Sequence, residues 1–298
     1  MPSFESELGS ISADRRSGSR TIAAAIARLL VTGAVPSPLP RAKFVAIARL
    51  ILARTPAFAL VFDLLHHLGT SLFAKGDSQE AEGAQFRAAV EAWRVGWSAA
   101  QEAITRHAAS RLGDGMTVAT ISNSKAVCDL LLAVGARQDR LQVMVSESEP
   151  GGEGVAFAHS LEQSPHHVTL LADGALLARL EQADRVILGA DAVFTDGVAN
   201  KVGSLALAQA ARRLGRELWV IAESQKWAPK AWGVKTARVE MPVAQKTGGK
   251  PASTSVLLFE SVAAPLVTLL VSEHGSEPFA RVAQELDKKP VFGPLVVL

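Results

Sequence analysis

The residues best placed for chemistry cluster where the apolar run RVILGA ends in Gly189-Ala190-Asp191 and leads into AVFTDGVANKVGSLALAQAARRLG. A carboxylate at a strand's end, a glycine turn and then Asn200-Lys201 opening an amphipathic helix predict an acid, an amide and a cation around one spot. A phosphate or a hydroxyl suits such a set, because a helix start adds free backbone N–H groups and the positive end of a dipole. On spacing alone the same residues also fit a capped turn beside a solvated lysine, and both readings stay open at this point.

Those residues need a frame, and the pattern after Gly113-Asp114-Gly115 supplies one. Short β-rich runs, TVATI, LQVMV, HVTLL, RVILGA and ELWVIA, alternate with helix-like stretches. That alternation predicts a parallel sheet covered by helices, with ligands beyond the carboxyl ends of its strands. From Arg20 to about Ser110 the apolar residues recur instead at three and four positions, as in TIAAAIARLL, FVAIARLILA and FALVFDLLHHL, which predicts helices. Pro36, Pro38 and Pro40 break one connector, Thr55-Pro56 starts a new helix, and a long segment from Ser78 to Arg111 leads into the second half. The expected fold is α/β: an N-terminal helical domain over residues 1–111, then a Rossmann-like parallel-sheet domain over 112–298 that holds the main site. The polar stretch QKTGGKPAST, 245–254, reads as a surface loop, since Ala244 and Pro251 break the pattern of a phosphate-binding P-loop.

Composition narrows the function classes. Hydrophobic residues make up 48% of the 298 and charged residues 20%, enough for a large core. With 31 basic and 29 acidic residues the net charge is +2, too weak a field for general binding to nucleic acid or an anionic membrane. The single cysteine, Cys128, closes no disulfide within the chain and fits a reducing, cytoplasmic setting. No signal peptide and no long apolar span is expected from the residues given.

The stretch GADAVFTDGVANKVGS resembles the signature of the initiation factor 2B alpha/beta/delta family, which includes methylthioribose-1-phosphate isomerase and ribose-1,5-bisphosphate isomerase. The likeness runs from Ser17-Gly18-Ser19-Arg20 through TISNSK at 120–125 to FESVAAPLVTLLVSEHG, and the NSKA run at 123–126 is most similar to ribose-1,5-bisphosphate isomerase. The resemblance implies that Asp191 is the proton-transferring aspartate, working with a residue one strand away that falls on Ser122. It implies that Asn200, Lys201 and Lys226, the last in the run AESQKW, hold hydroxyls and reacting oxygens. It implies that Gly18-Ser19-Arg20 and Arg54, beside Thr55-Pro56, hold phosphate, a task suited to the planar fork of arginine. The ligand so implied is a small phosphorylated sugar or nucleotide, with no cofactor, no metal, no membrane or nucleic-acid partner, and a homodimer formed through the sheet domains.

Three positions, at two places in the chain, depart from the isomerase pattern. The isomerases carry a cysteine where this chain has Ser122, and a histidine where it has Ile121; a hydroxyl without a base is a poorer proton carrier than a thiol of pKa about 8.5. After LQVMV, Glu149 stands before Pro150 where the isomerases have a phosphate-binding arginine, and a carboxylate there repels phosphate unless it turns outward. Two readings follow: a sugar-phosphate aldose–ketose isomerase, or a non-enzymatic regulatory subunit that senses a ligand. Cys128 reads as a buried structural residue, and His66-His67 and His166-His167 are not spaced for a metal. Glu223 reads as a partner that orients Lys226, and Arg15 and Arg16 as solvated charges.

Overall fold

The computed structural model describes residues 3–14, 18–33, 37–55, 58–73, 80–234, 240–243 and 254–296. Arg15, Arg16, Pro36, Pro56 and the polar stretch 245–253 lie outside the described residues.

The first half is a stack of helices: α1 (Phe4–Ala13), α2 (Ser19–Thr32), α3 (Arg41–Arg54), α4 (Ala59–Phe73) and α5 (Gly83–Ala109), with strands β1 (Leu39–Pro40) and β2 (Glu80–Ala81) paired antiparallel between them. Thr55 caps α3, and the next helix starts at Ala59. α4 is the hub, apolar nearly all round and buried from Ala59 to Leu65, so it must be surrounded by its neighbours rather than lie on a surface. α2 lays Ile22, Ile26, Leu29 and Leu30 against it, the three- and four-residue spacing that the sequence displays.

The second half is a seven-stranded sheet made from β3 (Thr117–Thr120), β4 (Gln142–Ser146), β5 (His167–Leu171), β6 (Arg185–Leu188), β9 (Glu217–Ile221), β13 (Leu269–Ser272) and β14 (Gly275–Pro278). Its order is β14-β13-β9-β6-β3-β4-β5, and every pairing is parallel except the edge hairpin β13-β14. The five strands expected from composition are all present. α6 (Lys125–Ala136) and α5 cover one face, where Ile104, Val127 and Leu131 meet Trp219 and Ile221. On the other face α9 (Ser204–Arg213) and α10 (Phe279–Leu286) bring Leu207, Ala211, Val282 and Leu286 onto Val186, Leu188 and Val220. The short helices α7 (Glu153–Ser160) and α8 (Asp173–Ala178) follow β4 and β5.

From β3 the chain builds outward to β4 and β5 on one side, then returns to build β6, β9 and β13 on the other. The direction of winding therefore reverses between β3 and β6, and a crevice opens at their carboxyl ends. Ser122 follows the first of these strands and Asp191 the second.

The structure corrects one local expectation. Asn200 and Lys201 do not open a helix; they end β8 (Gly197–Lys201), which pairs antiparallel with β7 (Ala192–Phe194) and β12 (Phe259–Ala263) in a small separate sheet. The Thr195-Asp196-Gly197 segment turns the hairpin, and strand pairing outweighs the helical pattern that begins only at Ser204. A further hairpin, β10 (Glu240–Val243) with β11 (Thr254–Leu257), precedes β12.

Candidate active site

The β7-β8 hairpin folds the chain back on itself within ten residues. Asp191 donates its backbone N–H to the Ala199 carbonyl at 2.8 Å, so Asn200 and Lys201 return to the same strand tip. The helix α9 was expected to offer its N-terminus to an anion; instead Glu260, opposite Asn200 on β12, occupies it, accepting from the Gly203 and Leu205 N–H groups at 2.7 and 2.8 Å. A chain carboxylate already answers that dipole.

Asp191 is partly exposed, and its carboxyl accepts a hydrogen bond from the Ser19 hydroxyl at the start of α2. Burial pushes its pKa above the ordinary carboxylate value; nearby Glu223 and Glu153 push the same way, while Lys226 and Ser19 oppose them. Lys226, buried in the short 3-10 turn Ser224–Lys226, has its ammonium pKa lowered by burial and by Arg20, against the pull of Glu223 and Asp191.

Glu223 is the hub of the cluster. Its side chain is fully buried, yet it accepts from Trp97 Nε1 at 3.1 Å, Gln101 Nε2 at 3.2 Å and Arg20 Nη2 at 3.5 Å, and faces Lys226 Nζ at 3.6 Å. Burial alone would raise its pKa, but Lys226 and Arg20 together hold it below the usual range, so it stays a carboxylate. Arg20 lies between this carboxylate and the face of Trp97, 5.4 Å from the ring centre. The role expected for Glu223, orienting Lys226, describes half of what it does; it also pins Arg20 and two residues of α5.

Lys201, buried, forms a 2.9 Å ion pair with Glu153 at the start of α7. The other oxygen of Glu153 is buried with no hydrogen-bond partner among the described residues. Sequence reading did not single out Glu153; its signal was the run Gly151-Gly152-Glu153-Gly154 just beyond a strand end. A Cβ on Gly154 would sit 1.7 Å from the Ser146 carbonyl oxygen, so only glycine lets α7 start against the tip of β4 and hold Glu153 toward Lys201.

Ser122 and Ser148, on the neighbouring tips of β3 and β4, both adopt left-handed backbone, φ 71° and 67°, which costs a non-glycine residue about 1 kcal/mol or more. The Ser122 N–H donates to Ser148 Oγ at 2.7 Å, and Asp173 fixes the same loop by accepting from the Ser148 and Glu149 N–H groups at 2.8 and 3.1 Å. Glu149, the carboxylate at the expected arginine position, is exposed. Asn200 is buried and donates to Ser204 Oγ at 2.9 Å.

The predicted residues thus divide. Asp191, Ser19, Arg20, Lys201 and Lys226 share one cluster; Gly18 caps the N-terminus of α2 beside it, with no side-chain hydrogen bond to that end among the described residues. Arg54 is exposed at the last position of α3, with no bond to the cluster among the described residues. Three cations, Arg20, Lys201 and Lys226, stand against three carboxyl groups, Asp191, Glu153 and Glu223. Cys128 is buried in the core under α6, and burial raises its thiol pKa. His166 is held by the Leu141 N–H at 3.1 Å and the Leu131 carbonyl at 2.7 Å, as a core histidine is. Among the described residues no helix is long and apolar enough to cross a membrane.

Residues 45–278 match the model of the initiation factor 2 subunit family. The chain is 30% identical over 235 residues to the ribose 1,5-bisphosphate isomerase of Haloferax volcanii, covering 75% of this chain and 71% of that protein. It is 31% identical over 138 residues to the ribose 1,5-bisphosphate isomerase of Archaeoglobus fulgidus, a match that spans 46% of this chain and only 44% of that relative. Among solved structures, the translation initiation factor eIF-2B of Pyrococcus horikoshii OT3 superposes with a TM-score of 0.81 at 21% identity, covering 95% of this chain and all of that one.

Proposed function

The chain belongs to the initiation factor 2 subunit family, and from that premise we propose that the cluster around Asp191 is a pocket for a ribose-like sugar phosphate in which Asp191 moves a proton between adjacent sugar carbons. The observation that carries this reading is the setting of Asp191: a carboxyl at the winding reversal of the sheet, its pKa raised by burial, facing a buried lysine. An aldose–ketose step needs one group that takes a proton from carbon and returns it to the neighbouring carbon. A carboxyl whose pKa is moved up toward the working pH does both better than an ordinary aspartate. Lys226, fixed by Glu223, is the donor for the oxygen that gains charge as the C–H bond breaks. The phosphate seat is the N-terminus of α2, which no side chain among the described residues caps, and where Gly18, Ser19 and Arg20 combine backbone N–H groups with a guanidinium. The balanced charge of the cluster fits this too. With Asp191 protonated the six groups carry a net +1, which favours an anion; with Asp191 ionised they carry none.

The test is turnover. Incubated with ribose-1,5-bisphosphate, methylthioribose 1-phosphate and pentose monophosphates, the protein is expected to convert one aldose to its ketose, followed by proton NMR. Asp191→Asn should slow that conversion about 10²- to 10⁴-fold. No conversion of any of them at high enzyme concentration discards the catalytic reading.

Ser122 favours a second reading. The hydroxyl stands where the isomerases carry a thiol, and a pocket that binds without turning over would make the chain a ligand-sensing subunit whose occupancy alters its assembly. Stabilisation by a sugar phosphate or nucleotide without conversion selects this reading. Either way we expect a homodimer through the sheet domains, measurable by light scattering.

A further inference from the structure

Asp191, Lys226 and Arg20 carry the proposed chemistry; Lys201 and Glu153 have no part in it. The pair sits on the β4 side of the cluster. Glu153 follows β4 at the start of α7, and the Ser122 N–H bond to Ser148 ties the β4 tip to that of β3. Glu153 is also close enough for its charge to bear on Asp191. Lys201 is 2% exposed and donates to Glu153 Oε1 at 2.9 Å. Gly151 clears the space that this carboxylate fills, since a Cβ there would lie 2.3 Å from the same oxygen. A buried lysine at a strand tip would ordinarily make an anion seat, being a compact positive charge. With a carboxylate in contact, this one has little net charge to offer, and what remains to it is N–H donation to neutral oxygens.

The chain answers the other anion seats on this side as well. In the loop from β4 to α7, Ser148 and Glu149 give their N–H groups to Asp173, Gly152 donates to the Ser148 carbonyl at 3.0 Å and Gly154 to the Glu147 carbonyl at 3.2 Å. A loop that spends these donors on its own carboxylate and carbonyls makes a poor nest for phosphate. Ser124 caps the start of α6, where Lys125 pairs with Asp129. Glu260 already fills the start of α9. Glu149 adds an exposed carboxylate, 3.9 Å from where a Cβ on Gly152 would lie and so beside the start of α7. Glu149, Glu153 and Asp173 thus stand with Lys201 at a formal charge of −2, whereas Arg20 and Lys226 with Glu223 carry +1. The cluster has a cationic side toward α2 and an anionic side toward β4.

We propose that Glu153 is a specificity-determining residue: by neutralising Lys201 it makes the β4 side a seat for an uncharged end, so the ligand is a sugar carrying one phosphate, held at α2. The proposal rests on the sugar-phosphate reading of the Asp191 pocket and narrows it. A second phosphate, at the other end of the sugar, would meet Glu149 and Glu153 instead of an unpaired cation. A phosphate dianion about 6 Å from one uncompensated carboxylate in water loses about tenfold in affinity.

The test is calorimetric titration of the whole chain with ribose 1-phosphate, ribose 5-phosphate and ribose 1,5-bisphosphate. Aldose–ketose conversion leaves the number of phosphates unchanged, so the comparison holds with or without turnover. The better monophosphate is expected to bind about tenfold more tightly than the bisphosphate. Glu153→Gln keeps the shape and one acceptor for Lys201 but uncovers the lysine's charge, and should abolish that preference or invert it. If this variant does not fold, Glu149→Gln, an exposed change, carries the test and should narrow the preference to about threefold. A purely structural Glu153 would weaken all three ligands by the same factor. A preference unmoved at about tenfold in the variant that carries the test therefore overturns the proposal. So does a bisphosphate that binds the unmodified chain as tightly as the better monophosphate, a result that leaves the sugar-phosphate pocket standing. Binding of none of the three removes the pocket and this proposal together.

Discussion

Asp191 is a carboxyl in surroundings that disfavour its charge, and that predicts a trade between stability and use. Its folded pKa lies above the unfolded value of about 3.9, so in the window above that value the folded state holds a proton that the unfolded chain has lost, and stability falls as pH rises through the raised pKa. Asp191→Asn removes this loss. The variant should therefore melt higher than the parent at neutral pH, with the gain shrinking toward pH 4, while conversion of sugar phosphate is lost; thermal melts across pH check it, and a variant less stable at every pH contradicts it. His66 acts in the opposite sense. Burial, with the Lys289 charge nearby, lowers its pKa to about 4 from an ordinary 6.5. The folded state keeps the ring neutral, so its contribution is complete above pH 6.5 and declines as pH falls toward 4, by roughly 3 kcal/mol in all. Denaturant titrations should show this slope in the parent and a flatter one in His66→Asn, which has nothing to protonate there.

Among the elements, the Ser224–Lys226 turn depends most on distant parts of the chain. Glu223 at its start draws on α2 through Arg20 and on α5 through Trp97 and Gln101, so one buried carboxylate fixes two helices of the first half to a strand tip of the second. Glu223→Ala leaves Arg20 and Lys226 without that partner and should cost about 3–5 kcal/mol of unfolding free energy in a denaturant titration, whereas Glu223→Gln, which keeps the shape and one acceptor, should cost less. Nothing in the sequence displays such a convergence, because its members lie 122 to 203 positions apart. What the sequence does display is periodicity. The five strands and the helices of the first half from Arg20 onward follow from apolar spacing, α1 does not, and the strand-tip position of Asp191 follows from the order of strands. The β7-β8 hairpin looks in the sequence like the lead of a helix because Asn200-Lys201 directly precedes a strongly helical pattern, while the competing signal, one Thr-Asp-Gly turn, is short. Glu153 went unnoticed for a related reason: its importance comes from Lys201, 48 residues away, and from the close approach of Gly154 to Ser146.

At the scale of the molecule, the segment after α10 crosses back into the helical half and locks it. Phe292 is buried among Phe44 and Phe73, with ring centres 6.0 and 6.5 Å away, and Arg41 lies 5.3 Å over its face. Gly69 of α4 makes room for it, since a Cβ there would sit 2.3 Å from the Phe292 ring. Leu295 joins the same core, and Arg49 of α3 donates to the Pro294 carbonyl at 2.9 Å. The core of the first half is therefore completed by residues from the end of the described chain, and neither half has its full set of contacts without the other. Phe292→Ala should cost about 3–5 kcal/mol, the loss expected for a buried phenylalanine, and Gly69→Ala about 1–3 kcal/mol by overpacking against the same ring. In calorimetry both variants should still unfold in one transition, at lower temperature, because Glu223 and Lys289 continue to couple the halves. Removing the chain from Lys288 onward deletes Lys289, Phe292 and Leu295 together, and should separate the melt into two transitions, the helical half first. A single transition in that truncated chain would place the coupling in the Glu223 cluster alone.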